Sequence, residues 1–520
     1  MLVKSFASAV LGIDAVPITI EVSATRGIEF TLVGLPDNAV KESRDRITAA
    51  MLYSGLHFPA KSLVINMAPA DIRKEGAAYD LPLAVAILAA DEEVSTARLG
   101  DYVIMGELSL DGSLQPVRGV LPMAMRAKTD GFRGMILPRA NACEAAVVDG
   151  LEVIAMDCLS DVVLFLNGEL EVQPTHVDIE AEFRLHAFPD DLDFSDVRGQ
   201  ENVRRALEVA AAGGHNIIMV GPPGAGKSMM AKRLPTILPP LTLDEALETT
   251  KIHSVAGLLS KRRGVSSGLE TALITTRPFR SPHHTITDVA LVGGGTNPHP
   301  GEISLAHNGV LFLDELPEYK RSALEVMRQP LEDRRITVSR AKMGVEYPAG
   351  FMLVAAMNPC PCGHWGDPTH ACTCTPASIH RYLARISGPL LDRIDLQVPI
   401  QAVPFAELQK AEPGEPSAAI RARVLAARAI QSERFASENG IHCNAQMSSR
   451  LIRKYCRLDE ASEKMLEMAM TRLGLSARAY DRILKVSRTI ADLEASPDIT
   501  SRHLQEAISY RELDKEQHWL

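Results

Sequence analysis

The sequence predicts an α/β protein built on a parallel sheet, and three segments predict it. A short apolar strand, Asn216–Val220, runs into Gly221-Pro222-Pro223-Gly224-Ala225-Gly226-Lys227-Ser228 and then into the helical stretch MMAKRLPTIL. A second apolar strand, Val310–Leu313, ends in Asp314 and Glu315. A third, Phe351–Met357, ends at Asn358. Strands alternating with helices build parallel sheets, and such sheets bind ligands at the carboxyl ends of their strands.

The 520 residues correspond to about three domains. An apolar fraction of 46% supplies large cores, and 23% charged residues argue against wholesale disorder. Lys plus Arg total 55 against 65 Asp plus Glu, a net of −10. That excludes coating nucleic acid through bulk positive charge and leaves room for a local basic channel. Eight cysteines in so long a chain exclude a disulfide scaffold. Asp14 interrupts the apolar N-terminus before a signal core forms. The longest apolar stretch, Leu81–Ala90, is about half the ~20 residues that cross a bilayer. The chain therefore reads as cytoplasmic, with no membrane partner.

Texture divides the chain into regions at 1–168, 169–193, 194–402 and 403–520. The first mixes strands (Ile18–Val22, Glu29–Val33, Leu63–Met67) with helices (Ala39–Tyr53, Ala84–Ala90). The second, acidic and marked by Pro174 and Pro189, reads as a linker. The third carries the three strands above, and the last is helical by period.

Each element of the site has a chemical reason. Glycines let successive backbone N–H groups turn onto phosphates, and the helix that follows adds a favourable field. Lys227 would then reach the β- and γ-phosphates of ATP, and Ser228 would hold Mg²⁺. Carboxylates at the end of a buried strand are costly unless used. Asp314 suits the Mg²⁺ shell and Glu315 the base that activates water. Asn358 can orient that water without adding negative charge.

Four cysteines cluster as Cys360-Pro-Cys362 and Cys372-Thr-Cys374. They can furnish a tetrahedral Zn²⁺ site, with His364 or His370 able to replace one sulfur; reduced thiols without metal are the alternative. Residues 336–347 alternate, turn at 341–344 and alternate back, a β-hairpin with Arg340 and Lys342 at its tip. The loop Arg277-Pro-Phe-Arg280-Ser-Pro-His283-His284 combines groups that bind phosphates and stack on bases. Lys261-Arg262-Arg263 adds a short basic run.

Gly199-Gln200, GPPGAGKS, LFLDE, Asn358, LLDRID and LSARA together resemble an AAA+ ATPase of the helix-2-insert branch, which includes magnesium chelatase motors and MCM helicases. More narrowly, RPFRSPHH, NPHPGEISLAHNGVLFLDELPE and NPCPCG resemble the YifB/ComM family, with similarity almost end to end. The resemblance implies an AAA+ core with a helical lid over 403–520. It adds Gln200 to the nucleotide contacts, makes Arg393 a finger completing a neighbour's site, and makes Arg478 a sensor on the lid. A finger acting in trans implies a ring, by likeness a homo-hexamer. Residues 66–90 and 101–160 resemble a Lon protease domain, but Ala78 stands at the nucleophile position and Leu121 at the lysine position. The leading expectation is thus a DNA motor for recombining strands in natural transformation. The alternative is a chelatase-type motor that remodels a protein.

Overall fold

The computed structural model describes residues 2–186, 192–259, 273–295, 298–340, 343–367, 370–402, 414–438 and 440–511. Lys342 and the basic run 261–263 lie outside the described residues, as does the side chain of Arg340. The chain divides into two compact units, Met1–Leu185 with Leu243–Ile274, and His186–Thr242 with Thr275–Leu520.

The first unit carries a mixed seven-stranded sheet. Its strands are β1 (Leu2–Leu11), β2 (Asp14–Thr25), β3 (Phe30–Val33), β4 (Ser62–Ala68), β5 (Tyr102–Ile104), β6 (Gly134–Pro138) and β7 (Glu152–Met156), in the order β3-β4-β2-β1-β5-β6-β7. β1 and β2 form a long antiparallel hairpin from Leu2↔Ser23 to Leu11↔Asp14. Helix α1 (Asp80–Ala90) is buried on every side, as its uninterrupted apolar sequence requires. The helix expected over Ala39–Tyr53 is two, Asn38–Lys41 and Ser43–Tyr53, separated at Glu42.

Two expectations about organisation differ from the structure. The segment read as a linker holds a helix, Ile179–His186, whose first turn is capped by Asp178 Oδ1 accepting from Ala181 N at 2.9 Å. The described residues 243–259 and 273–274, expected within the ATPase core, group with the first unit instead. Polar contacts specify this. From helix Leu243–Val255, Ser254 Oγ donates to Glu144 at 2.5 Å and Lys251 pairs with Asp14 at 2.9 Å. Gly119 N, preceding helix α2 (Val120–Thr129), donates to Ser254 O at 3.2 Å. Burial raises the Glu144 carboxyl above its ordinary pKa, against the hydrogen bonds from Ser254 and Leu121.

The second unit is built on a fully parallel five-stranded sheet. Its strands are β8 (Ile217–Val220), β9 (Phe279–Arg280), β10 (Val310–Leu313), β13 (Met352–Met357) and β14 (Leu396–Pro399), in the order β9-β10-β13-β8-β14. Between β10 and β13 in sequence lies the expected hairpin, β11 (Arg335–Arg340) with β12 (Met343–Pro348), in register from Arg335↔Pro348 to Arg340↔Met343. The central strands are buried on both faces, which is why they read as unbroken apolar runs rather than alternating ones. Helices α3 (Glu201–Gly213), α4 (Lys227–Arg233), α5 (Ser417–Arg434) and α6 (Ala477–Leu493) share one core with the sheet. Asp492 on α6, fully buried, is clamped by Arg434, Arg488 and Asn444 at 2.5–3.0 Å. Among the described residues, no helix is long and apolar enough to cross a membrane.

Candidate active site

The loop after β8 is shaped by its glycines. Gly224 and Gly226 take φ of +76° and +84°, which side chains rarely adopt. A Cβ at Gly221 would stand 2.2 Å from Ile400 O, so the chain leaving β14 approaches too closely for any other residue. Gly226 then caps α4, whose first residue is Lys227. The Lys227 side chain folds back over the loop: Nζ donates to Gly221 O at 2.7 Å, to Pro222 O at 2.8 Å and to Asn358 Oδ1 at 3.1 Å. Burial pushes its pKa below the ordinary value, opposed by the charges of Asp314 and Glu315.

The three strand ends therefore converge. β13 lies between β8 and β10, placing Asn358 between the loop and the acids. Ser228 Oγ donates to Asp314 Oδ2 at 2.6 Å, joining the two residues expected to share Mg²⁺. These oxygens, with the carboxylate charge beside them, suit a hard divalent cation. Glu315 follows in the left-handed region at φ +52°, half exposed, with its N–H bonded to Asp314 Oδ1 at 3.0 Å. A non-glycine residue held there stores strain of the kind found at functional sites. Gln200, also left-handed at φ +56°, ties the loop to the far end of the sheet: Nε2 donates to Ala225 O at 2.9 Å and Gln401 O at 3.1 Å. Gly221, Pro222, Pro223, Gly224, Ala225, Gly226, Lys227, Ser228, Asp314, Glu315, Asn358 and Gln200 thus form one constellation.

The two arginines behave differently. Arg393 is buried at 5% exposure, its Nη1 on Pro389 O at 2.7 Å and its Nη2 on Glu332 at 2.5 Å. Its carbonyl is held by Asn216 Nδ2 at 3.2 Å and Arg482 Nη1 at 3.1 Å, and Arg482 also pairs with Asp395. The finger candidate is therefore stowed against the residue that ends just before the hairpin, and Glu332 gave no signal in the sequence. Arg478 is exposed on the first turn of α6, one turn before Arg482.

The insert loop corrects one expectation and adds a residue. Arg280 is not presented to a phosphate: its Nε and Nη2 grip Glu302 at 2.6 and 2.7 Å. Arg277 braces the carbonyls of Pro239, Pro240 and Asn308. His283 remains exposed, with its ring 4.1 Å from that of His284. His284 Nδ1 lies 3.1 Å from Glu315 Oε2, and its ring meets Tyr319 edge-on at 6.4 Å. The Tyr319 hydroxyl bonds Pro282 O at 2.6 Å, fixing this loop to the acidic strand end. Beside it, Arg321, Arg381 and Arg385 line a cavity of about 540 Å³ with Pro317, Glu318 and Tyr319. Scattered over sixty residues, they carried no common pattern to read.

Beyond Asn358 the four cysteines come together. Cys360 Sγ lies 3.4 Å from Cys362 and 3.7 Å from Cys372, Cys362 lies 3.6 Å from Cys372, and all four sulfurs fall within 4.8 Å of one another. A zinc tetrahedron with ~2.3 Å bonds has an edge of about 3.8 Å, so this set fits the metal. Backbone N–H groups of His364 and Thr373 hold the Cys362 thiol down, to about 5. His364 and His370 do not replace a sulfur; they group separately with Asp367. The loop backs onto the glycine loop 221–228 (the P-loop), since a Cβ at Gly363 would stand 2.6 Å from Pro223 Cδ.

In the first unit stand the two residues that the Lon resemblance sets at dyad positions, Ala78 and Leu121. Leu121 is buried on α2 and gives its backbone N–H to Glu144 at 2.9 Å. Lys74, fully buried, is bonded to Pro69 O and pushed below its ordinary pKa by burial.

Known proteins match this chain along its length. The family described as magnesium chelatase, subunit ChlI, matches residues 193–408, its companion covers 20–141, and the C-terminal family covers 414–511. Uncharacterized protein YifB of Escherichia coli is 45% identical over 98% of this chain and 96% of its own. Competence protein ComM of Haemophilus influenzae is 45% identical over 97% and 96%. Lon protease 2 of Bacillus subtilis is 30% identical over 28% of this chain and 26% of its own. With relatives at this identity over nearly the whole length, the chain belongs to the YifB/ComM family of magnesium chelatase-like AAA+ proteins.

Proposed function

We propose that this protein is an ATP-driven, ring-forming motor that translocates on DNA and remodels branched or recombining strands. The observation that carries the ATPase part is the convergence of Lys227, Ser228, Asp314, Glu315 and Asn358 on one loop, with Ser228 and Asp314 already 2.6 Å apart. Lys227 exchanges its loop carbonyls for the β- and γ-phosphate oxygens, where a bound divalent ion would supply charge neutralisation. Ser228 and Asp314 hold Mg²⁺. Glu315 takes the proton of the attacking water, and Asn358 orients that water. The buried Gln200 Oε1, with no donor among the described residues, suits the exocyclic amine of adenine. Arg393 acts in the neighbour's site, so hydrolysis needs the ring, by likeness a hexamer; Arg478 reports nucleotide through the helical lid over 403–520. The four cysteines hold Zn²⁺ and stiffen the loop that backs the P-loop.

The DNA assignment is supported by the printed name of the competence relative and by a 25% identity over 32% of this chain to the DNA replication licensing factor mcm7 of Schizosaccharomyces pombe. It is supported physically by the arginine-lined cavity and by the exposed His283. The Lon-like first unit serves without acyl-transfer chemistry, for Ala78 and Leu121 can neither attack nor accept a proton. The second reading, a chelatase-type motor remodelling a protein partner, is favoured by the magnesium chelatase matches alone. ATPase rates with single-stranded, duplex and four-way DNA separate the two. Stimulation by DNA supports the motor on DNA; rates unchanged by all three favour the protein-remodelling reading.

A further inference from the structure

A second cluster of metal-ligating groups stands in the Cys-rich loop. His364 Nδ1 lies 3.2 Å from Asp367 Oδ2, and His370 Nδ1 lies 3.3 Å from the same oxygen. All three ligand atoms fall within 4.8 Å of one another, apart from the four sulfurs. Backbone geometry fixes them there. Asp367 N donates to His364 O at 3.1 Å, Asp367 Oδ1 accepts the His370 N–H at 3.3 Å, and Gly366 supplies the turn at φ +78°. The Asp367 side chain is only 8% exposed, whereas His370 faces solvent at 67%.

A charge-assisted bond between imidazole and carboxylate contracts to about 2.7–2.9 Å. Two ligands on a tetrahedral cation with bonds of ~2.0 Å stand about 3.3 Å apart. The observed separations, 3.2 and 3.3 Å, fit two ligands sharing one cation, and in its absence they are the two long imidazole–carboxylate hydrogen bonds that gather the three side chains. We propose that His364, Asp367 and His370 form a second metal site, taking one divalent cation of the zinc, cobalt or nickel class through two imidazole nitrogens and one carboxylate oxygen. Imidazole selects these ions over calcium or magnesium, which prefer all-oxygen shells. Water reaches the site past exposed His370 and completes the shell, so this ion is more accessible than one enclosed by four thiolates. The inference is independent of what the motor acts on and of whether the cysteines hold zinc.

The test is Co²⁺ titration of the full chain after metal removal, followed by absorption and by metal analysis. The wild type should bind two equivalents, one with intense thiolate-to-cobalt bands and one without. His364→Ala with His370→Ala should lose one equivalent and keep the thiolate bands. His370→Gln, at an exposed position, should by itself weaken the second equivalent at least tenfold. A single wild-type equivalent without thiolate bands, lost in the double variant, would sustain this site while failing the cysteine reading. Equal stoichiometry in wild type and double variant, or loss of the thiolate bands with the histidines, would overturn the proposal.

Discussion

Truncating Lys227 to Ala tests the nucleotide site where its chemistry is most explicit. In this structure the ammonium has three partners, two loop carbonyls and Asn358, at 2.7–3.1 Å. Binding ATP requires exchanging them for phosphate oxygens. One unit charge on phosphate at 4 Å attracts the ammonium by about 4 kcal/mol at an effective dielectric near 20. Giving up the three present bonds at about 1 kcal/mol each offsets much of this. Truncation should then cost about 1–3 kcal/mol in affinity, roughly 5- to 150-fold in Kd. Turnover should suffer more, because charge develops on the β-phosphate side as the bond to the γ-phosphoryl group breaks; loss of one preorganised donor typically costs ~10²–10³ in rate. Titration with a fluorescent ATP analogue and steady-state phosphate release measure the two quantities. Affinity and turnover both within twofold of the wild type would refute the assigned role of Lys227.

Other expected outcomes follow from the same geometry. Arg393→Ala should abolish hydrolysis with nucleotide binding largely kept, and mixing it with Lys227→Ala subunits should restore part of the rate; mixtures as inactive as their components would contradict a finger acting in trans. His284→Ala should alter kcat while leaving the KM for ATP within about twofold, because His284 contacts Glu315 and not the P-loop. His284→Gln, which keeps a donor, should recover part of the change, whereas equal shifts in kcat and KM would point to a general disturbance. Asp492→Ala should destabilise the second unit by about 3–5 kcal/mol in chemical denaturation, since it removes the counter-charge of buried Arg488, leaving it, among the described residues, only the carbonyls of Ser496 and Pro497, and uncouples Arg434. A loss under about 1 kcal/mol would mean that solvent reaches those arginines.

What the sequence revealed and what it hid divide along physical lines. Strand, glycine loop and helix are specified by neighbours in the chain, so β8, β10, β13 and the convergence of the residues at their ends were legible from short segments. The hairpin β11–β12 was legible for the same reason, its alternation being local. The four sulfurs were legible because two close pairs lie ten residues apart. Pairings across long separations were not. Nothing local marks Glu332 as the partner of Arg393, Glu302 as the partner that occupies Arg280, or Glu144 as the acceptor that draws 243–255 onto the first unit. Arg280 was misread because a loop arginine without its carboxylate looks available. His364 and His370 were misread because spacing alone cannot distinguish a spare ligand from a separate set.

The central claim is a motor that couples hydrolysis at Glu315 to work on DNA, and ATP-dependent strand displacement from a four-way DNA junction tests it most directly. The wild type should displace strands with ATP and Mg²⁺, and Glu315→Gln should bind the junction and ATP without displacement. Hydrolysis by the wild type at a rate indifferent to the junction, with no strand displaced, would contradict it.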